Sequence, residues 1–149
     1  MDGILGWREW LALDELGIAK IKAKVDTGAR TSALHAFEVI ELSRDGEPWV
    51  RFGVHPEQHN TDREIWCEAP MHDKRLVRDS GGHEQERPVI KTPIRLGDSS
   101  WEIEMTLTNR DNMGFRVLLG RTAIRRRFLV DAGKSYLTGR GHAKRGATT

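Results

Sequence analysis

The chain has 149 residues, with 24 Lys and Arg against 22 Asp and Glu and a formal net charge of +2. That length is enough for one domain with a real core, and the near-balance of charge excludes a polycation. A single cysteine, Cys67, excludes an internal disulfide, the N-terminal "MDGILGWREW" has no secretory-leader pattern, and no apolar run approaches the roughly 20 residues of a membrane span; together these point to a soluble, cytoplasmic protein.

Strand signals dominate in chain order. "GWREWLAL" (6–13) is rich in Trp and apolar residues, and "LDELGI" turns the chain. "IKAKV" (21–25) alternates strictly, with Ile21, Ala23 and Val25 on one side and Lys22 and Lys24 on the other, and it delivers Asp26 at its end. The stretch 33–42 reads as one strand, joined to 48–55 by a turn at Asp45-Gly46. Another strand covers 64–71, and 74–78 with 87–96 forms a hairpin tipped by "DSGG". Trp101, Ile103, Met105 and Leu107 alternate with polar residues over 101–108, and "FRVLLG" (115–120) is a short buried strand. One helix is expected, over 121–128, followed by a last hairpin pairing 128–131 with 136–138. Short strands separated by turn signals predict an all-β barrel or sandwich, a single domain over 1–138 with a basic, disordered tail at 139–149.

Two separated motifs narrow the reading. "AKVDTGARTSALHA" (23–36) ends a strand in Asp-Thr-Gly-Ala, and "FRVLLGRTAI" (115–124) ends a later strand in two apolar residues, Gly and Arg. This order resembles the retropepsin-like aspartic proteases. More narrowly, "GWREW", "RPVIKT", "LTNRDNMGFRVLLGR" and "RFLVD" are similar to a bacterial family long labelled ATP-dependent zinc proteases. The resemblance implies a closed acid-protease barrel with one short C-terminal helix, a flap at about 75–87 and extra strands at about 38–70 that a minimal retropepsin lacks.

The label's ATP and zinc claims find no support in the residues. "GKS" at 133–135 lacks the upstream glycine of a phosphate cradle, and "HEQER" at 83–87 lacks the second His of a zinc helix. His55 and His59 are four apart, but Pro56 argues against a helix there; Cys67, His72 and His83 could join them only through folding. No metal and no cofactor is expected.

The resemblance implies roles residue by residue. Asp26 is the catalytic carboxylate, Thr27 braces the loop across a dimer axis, and Gly28 presents its N–H to the carboxylate. Ala29 keeps the cleft wall small, and Gly81 and Gly82 free the flap tip to close over a peptide. One such motif per chain implies a homodimer in which two carboxylates share a proton. In retroviral relatives an acid commonly stands where this chain has Arg30 and pairs with the Arg after the late glycine, here Arg121. Two arginines cannot pair, so either Glu9, Asp111 or Asp131 serves them, or one faces the cleft and binds a substrate carboxylate. The related genes are associated with a ligase that adds glutamates to a ribosomal protein, which implies an acidic peptide tail as substrate, with that ribosomal protein or the ligase as a partner. Nucleic acid is the lesser expectation, confined to the basic tail. The competing readings are a non-catalytic module that binds an acidic peptide or ribosomal partner, and a zinc metallopeptidase.

Overall fold

The computed structural model describes residues 2–78, 81–109 and 114–139. Its strands are β1 (Gly3–Leu5), β2 (Arg8–Leu13), β3 (Ile18–Asp26), β4 (Ser32–His35), β5 (Phe37–Arg44), β6 (Glu47–Val54), β7 (Ile65–Pro70), β8 (Asp73–Arg78), β9 (Glu84–Leu96), β10 (Ser99–Thr108), β11 (Val117–Gly120) and β12 (Phe128–Val130). The order β10-β4-β11-β3-β2-β9 closes on itself through β9–β10 pairing, and β8 extends β9 as a hairpin, the one expected above to be the flap. The result is the all-β closed barrel with one short helix that the sequence led us to expect. Closure leaves the core strands without free edges.

Alternation sets which side chains enter the barrel. Ile21, Ala23 and Val25 of β3 are buried, as are Met105 and Leu107 of β10 and Val117 and Leu119 of β11. The three-stranded sheet β5-β6-β7 packs Val50, Phe52, Val54, Cys67 and Ala69 into the same core. Its tight turn places Asp45 at φ 53° and Gly46 at φ 80°, the left-handed pair that a two-residue hairpin needs.

Four expectations need correction. The stretch 33–42 is two strands in two sheets. β4 stays in the barrel against β10 and β11, Ala36 N–H donates to Thr108 O at 3.0 Å, and a register shift between Phe37 and Ile40 then turns β5 away. The stretch 6–13 is interrupted at Gly6, where an added Cβ would lie 2.2 Å from Lys134 O, so the chain crosses segment 134–135 there rather than continuing as a strand. The helix spans only Arg121–Ile124, and Arg126 at φ 67° breaks the path toward 128. The last hairpin does not form: β12 pairs in parallel with β1, Gly3 opposite Phe128.

Residues 137–138 are held instead by a buried carboxylate. Glu9 is fully buried, and its two oxygens accept from Gly6 N (2.7 Å), Leu137 N (2.9 Å), Thr138 N (3.1 Å) and Thr138 Oγ1 (2.8 Å). Four donors converging on an acceptor-only group leave no place for an amide NH₂. Glu9→Gln should therefore cost about 2–3 kcal/mol of folding free energy, read as a lower urea midpoint at unchanged slope. Unchanged stability would show that this network is not what fixes the C-terminal segment.

Candidate active site

Asp26 ends β3, and its position is set by two neighbouring elements. β11 runs parallel to β3 with Gly120 opposite Asp26. Directly after β11, Arg121 N–H donates to Ala29 O at 2.8 Å, and Thr122 N–H and Oγ1 both donate to Arg30 O, at 3.2 and 2.7 Å. Gly120 N–H donates to the buried Ser32 Oγ at 3.0 Å. A Cβ on Gly120 would stand 2.6 Å from the Thr31 carbonyl carbon and oxygen, so glycine is required for this close approach. The Asp loop is thus clamped between its own strand and the turn into the short helix.

Within the loop, Asp26 Oδ1 accepts from Gly28 N–H at 3.0 Å and from Ala29 N–H at 3.2 Å. A Cβ on Gly28 would press on the same oxygen at 3.2 Å. These bonds fix the carboxylate plane and leave Oδ2 with no hydrogen-bond partner among the described residues. Asp26 is half-buried, and Thr27 and Gly28 are exposed beside it. The arrangement presents one oriented, half-buried carboxylate beside exposed loop residues, with one oxygen left unpartnered among the described residues.

Arg121 needs no acid: its Nη1 donates to Gly28 O at 3.0 Å. Glu9 is committed to the C-terminal segment, and Asp131 Oδ1 accepts from Gly133 N–H at 3.0 Å; neither meets Arg30 or Arg121. Asp111 and the tail from 140 onward lie outside the described residues. Arg30 is exposed and lines a cleft of about 720 Å³ together with Arg75, Trp101, Glu102, Glu104 and Arg127. Gly81 and Gly82 are exposed at the flap tip, with Gly82 at φ 84°. Asp79 and Ser80 are outside the described residues.

The cleft residues on β8 and β10 escape the sequence reading, because Glu102 and Glu104 look like the solvent face of an ordinary strand. In the fold, Glu104 anchors the flap base: it accepts from Arg75 at 2.7 Å and lies 3.3 Å from His72 Nε2, while Arg75 also bonds Asp73 at 2.9 Å. No three His, Cys, Asp or Glu side chains converge as a metal site among the described residues. His55 stacks on Phe37 at 4.2 Å, and the buried Cys67 thiol, pushed up to about 11 by burial, donates to Leu16 O.

A closed β-barrel that clamps a strand-end Asp-Thr-Gly-Ala loop against an apolar-Gly turn is the architecture of a retropepsin-like protein. The chain belongs to the RimB-like family, described as retropepsin-like aspartic endopeptidase RimB, whose model matches residues 4–141. Protein Lpg0085 of Legionella pneumophila, a solved structure of unknown function, is similar over 93% of this chain and 99% of its own, with 31% identity and a TM-score of 0.77. Two curated relatives are each described as a probable alpha-L-glutamate ligase. That of Shewanella pealeana is 46% identical over 91% of this chain, and that of Desulfotalea psychrophila is 48% identical over 86%. The chain spans only 30% and 28% of their lengths.

Two outcomes follow from this geometry. Gly120→Ala forces a Cβ into backbone that cannot yield, so it should cost about 1–3 kcal/mol and lower the melting temperature; a variant as stable as the parent would contradict the clamp. The hydrogen bond from Arg75 holds the Glu104 carboxyl below its ordinary 4.5, and the Lys74 backbone N–H, then Arg75, hold Asp73 below 3.8. Because both folded-state values are depressed, the network stabilises the flap base fully above about pH 4.5 and is lost as pH falls through the lowered values. Amide exchange in β8, corrected for intrinsic rates, should accelerate below about pH 4. A flat profile would show that these ion pairs do not hold the flap.

Proposed function

We propose that the chain is an aspartic endopeptidase that acts as a homodimer, with Asp26 of each protomer supplying half of a shared-proton pair. The observation that carries this reading is the orientation of Asp26: Oδ1 accepts from two loop N–H groups, and Oδ2 has no hydrogen-bond partner among the described residues. One carboxylate alone lacks a partner that is protonated while it is ionised. Two of them, held at a two-fold axis, divide the work: the ionised one draws a proton from the attacking water and the protonated one polarises the scissile carbonyl.

An apolar surface suits such a dimer. Ile4 and Leu129 are register partners across β1 and β12 and are 52% and 58% exposed; Leu137, 45% exposed, adds a third apolar side chain near the chain ends. Val25 N–H donates to Trp7 O at 2.8 Å, so the chain enters β2 alongside the Asp26 end of β3.

The cleft beside the Asp loop supports an acidic substrate. Arg30 has no acid partner among the described residues, whereas Arg75 is paired with Glu104 and Asp73, and Arg127 lies 3.7 Å from Asp2. Arg30 is therefore the guanidinium available for a substrate carboxylate. The ligase description of the relatives favours a glutamate-rich tail, on a ribosomal protein or another product of such a ligase.

Asp26→Asn should abolish peptide cleavage while an acidic peptide still binds. Persistent cleavage would remove Asp26 from the chemistry, and a wild-type protein that binds without cleaving would make the fold a binding module. Arg30→Ala should lower kcat/KM for an acidic peptide by about 10- to 100-fold and leave a neutral peptide nearly unaffected, with Arg30→Lys recovering only part of the loss. Equal losses on both peptides would mark Arg30 as structural.

A further inference from the structure

Several cations on this surface are neutralised by neighbouring acids. Arg44 pairs with Glu68, Arg63 with Glu57, Lys74 with Glu41, Arg78 with Glu84, Arg95 with Asp14 and Arg75 with two acids. The outer face of the β2–β3 hairpin differs. Lys20, Lys22 and Lys24 alternate along β3, and Arg8 lies directly across from Lys24. None of the four is paired with a carboxylate among the described residues; Arg8 Nε donates to Ser135 Oγ at 3.1 Å. Lys20 and Lys24 are exposed and Lys22 is half-buried.

Alternate residues of a strand point the same way, so these lysines share a side with Asp26, which closes the same strand. The stripe starts two residues from Asp26, at Lys24, and ends at Lys20, about 20 Å from the carboxylate-bearing residue at ~3.3 Å per residue. Trp10, opposite Lys22, is the floor: the ammonium groups of Lys20 and Lys22 lie 4.8 and 5.2 Å from its ring, and Tyr136 stacks on it at 6.0 Å. A shallow cavity of about 310 Å³ opens beside it, lined by Trp10, Lys20, Lys22, Pro56, Gln58 and His59, with Glu57 at its edge already bonded to Arg63.

We propose that this stripe is a binding site for an extended acidic peptide, docked along β3 with its carboxylates on Lys20, Lys22 and Lys24. In an extended peptide the side chains on one face repeat every ~6.6–6.8 Å, the same repeat as alternate lysines on a strand. A single-stranded nucleic acid would also meet the positive charge, but it needs open aromatic faces on which bases stack. Here the Trp10 ring is covered by two ammonium groups and by Tyr136, which favours a peptide. As an exosite that feeds acidic substrate to Asp26, the stripe rests on the peptidase reading; peptide binding itself does not.

The test measures binding of fluorescein-labelled deca-glutamate, a neutral Gly-Ser peptide of equal length and deca-uridylate to the full chain and to its Lys20→Gln/Lys22→Gln variant. Deca-glutamate should bind most tightly, the double variant should weaken it about 3- to 30-fold at low salt, and added salt should shrink that difference. Cleavage of a short neutral peptide should not change. Unaltered deca-glutamate affinity in the double variant would overturn the site even if the protein proves to be a peptidase, and tighter, lysine-dependent binding of deca-uridylate would reassign it to nucleic acid. Lysine-dependent binding of deca-glutamate without any cleavage would uphold the site and overturn the peptidase reading alone.

Discussion

The contact between Gly120 and the Thr31 backbone governs the site. A β-carbon at Gly120 would sit 2.6 Å from that backbone, so the turn after β11 can reach the Asp loop only because this residue has no side chain. Once there, its N–H is satisfied by Ser32 Oγ, and the next two residues bond the Ala29 and Arg30 carbonyls. The loop that carries Asp26 is therefore held by backbone geometry rather than by packing of flexible side chains. Such rigidity is what the proposed pairing of two carboxylates within hydrogen-bond reach would require. The same clamp points Arg30 toward the cleft, since its own carbonyl is tied down by Thr122.

Charge is distributed on two principles. Away from the site, ion pairs such as Arg95–Asp14 and Arg63–Glu57 neutralise cations in place, and each contributes little to stability because it is solvated. Arg30 beside the Asp loop and Lys20, Lys22 and Lys24 along β3 have no acid partner among the described residues. Unpaired positive charge beside an oriented carboxylate raises the local concentration of anionic ligands. The flap base is treated differently, with Arg75 held by Asp73 and Glu104, so the hairpin is anchored where it leaves the barrel.

Much of this was legible in the sequence because it is local. Strict alternation in 21–25 marked the strand that ends at Asp26, Asp45-Gly46 marked the turn between β5 and β6, and "VLLG" identified the buried strand. What escaped depends on partners far along the chain. The parallel pairing of β1 with β12 replaced an expected local hairpin, since Glu9, more than a hundred residues upstream, captures the 137–138 backbone. Arg121 was expected either to meet an acid or to face the cleft, whereas its guanidinium donates to a carbonyl, Gly28 O. Glu102 and Glu104 read as solvent-facing positions and become cleft residues only when β10 meets the flap hairpin. Side-chain period shows which face a residue occupies and not what the fold brings opposite to it.

The chain carries one Asp-Thr-Gly motif, at 26–28, so the proposed shared-dyad enzyme would assemble its two halves from separate copies. Mixing wild-type protein with Asp26→Asn protein in equal amounts, after subunit exchange, measures that directly. If both carboxylates of a dimer are required, only wild-type pairs cleave, and activity against an acidic peptide falls to about a quarter of the all-wild-type value at the same total concentration. A fall to about half, in linear proportion to the wild-type fraction, would mean that each chain works alone and would contradict the shared dyad.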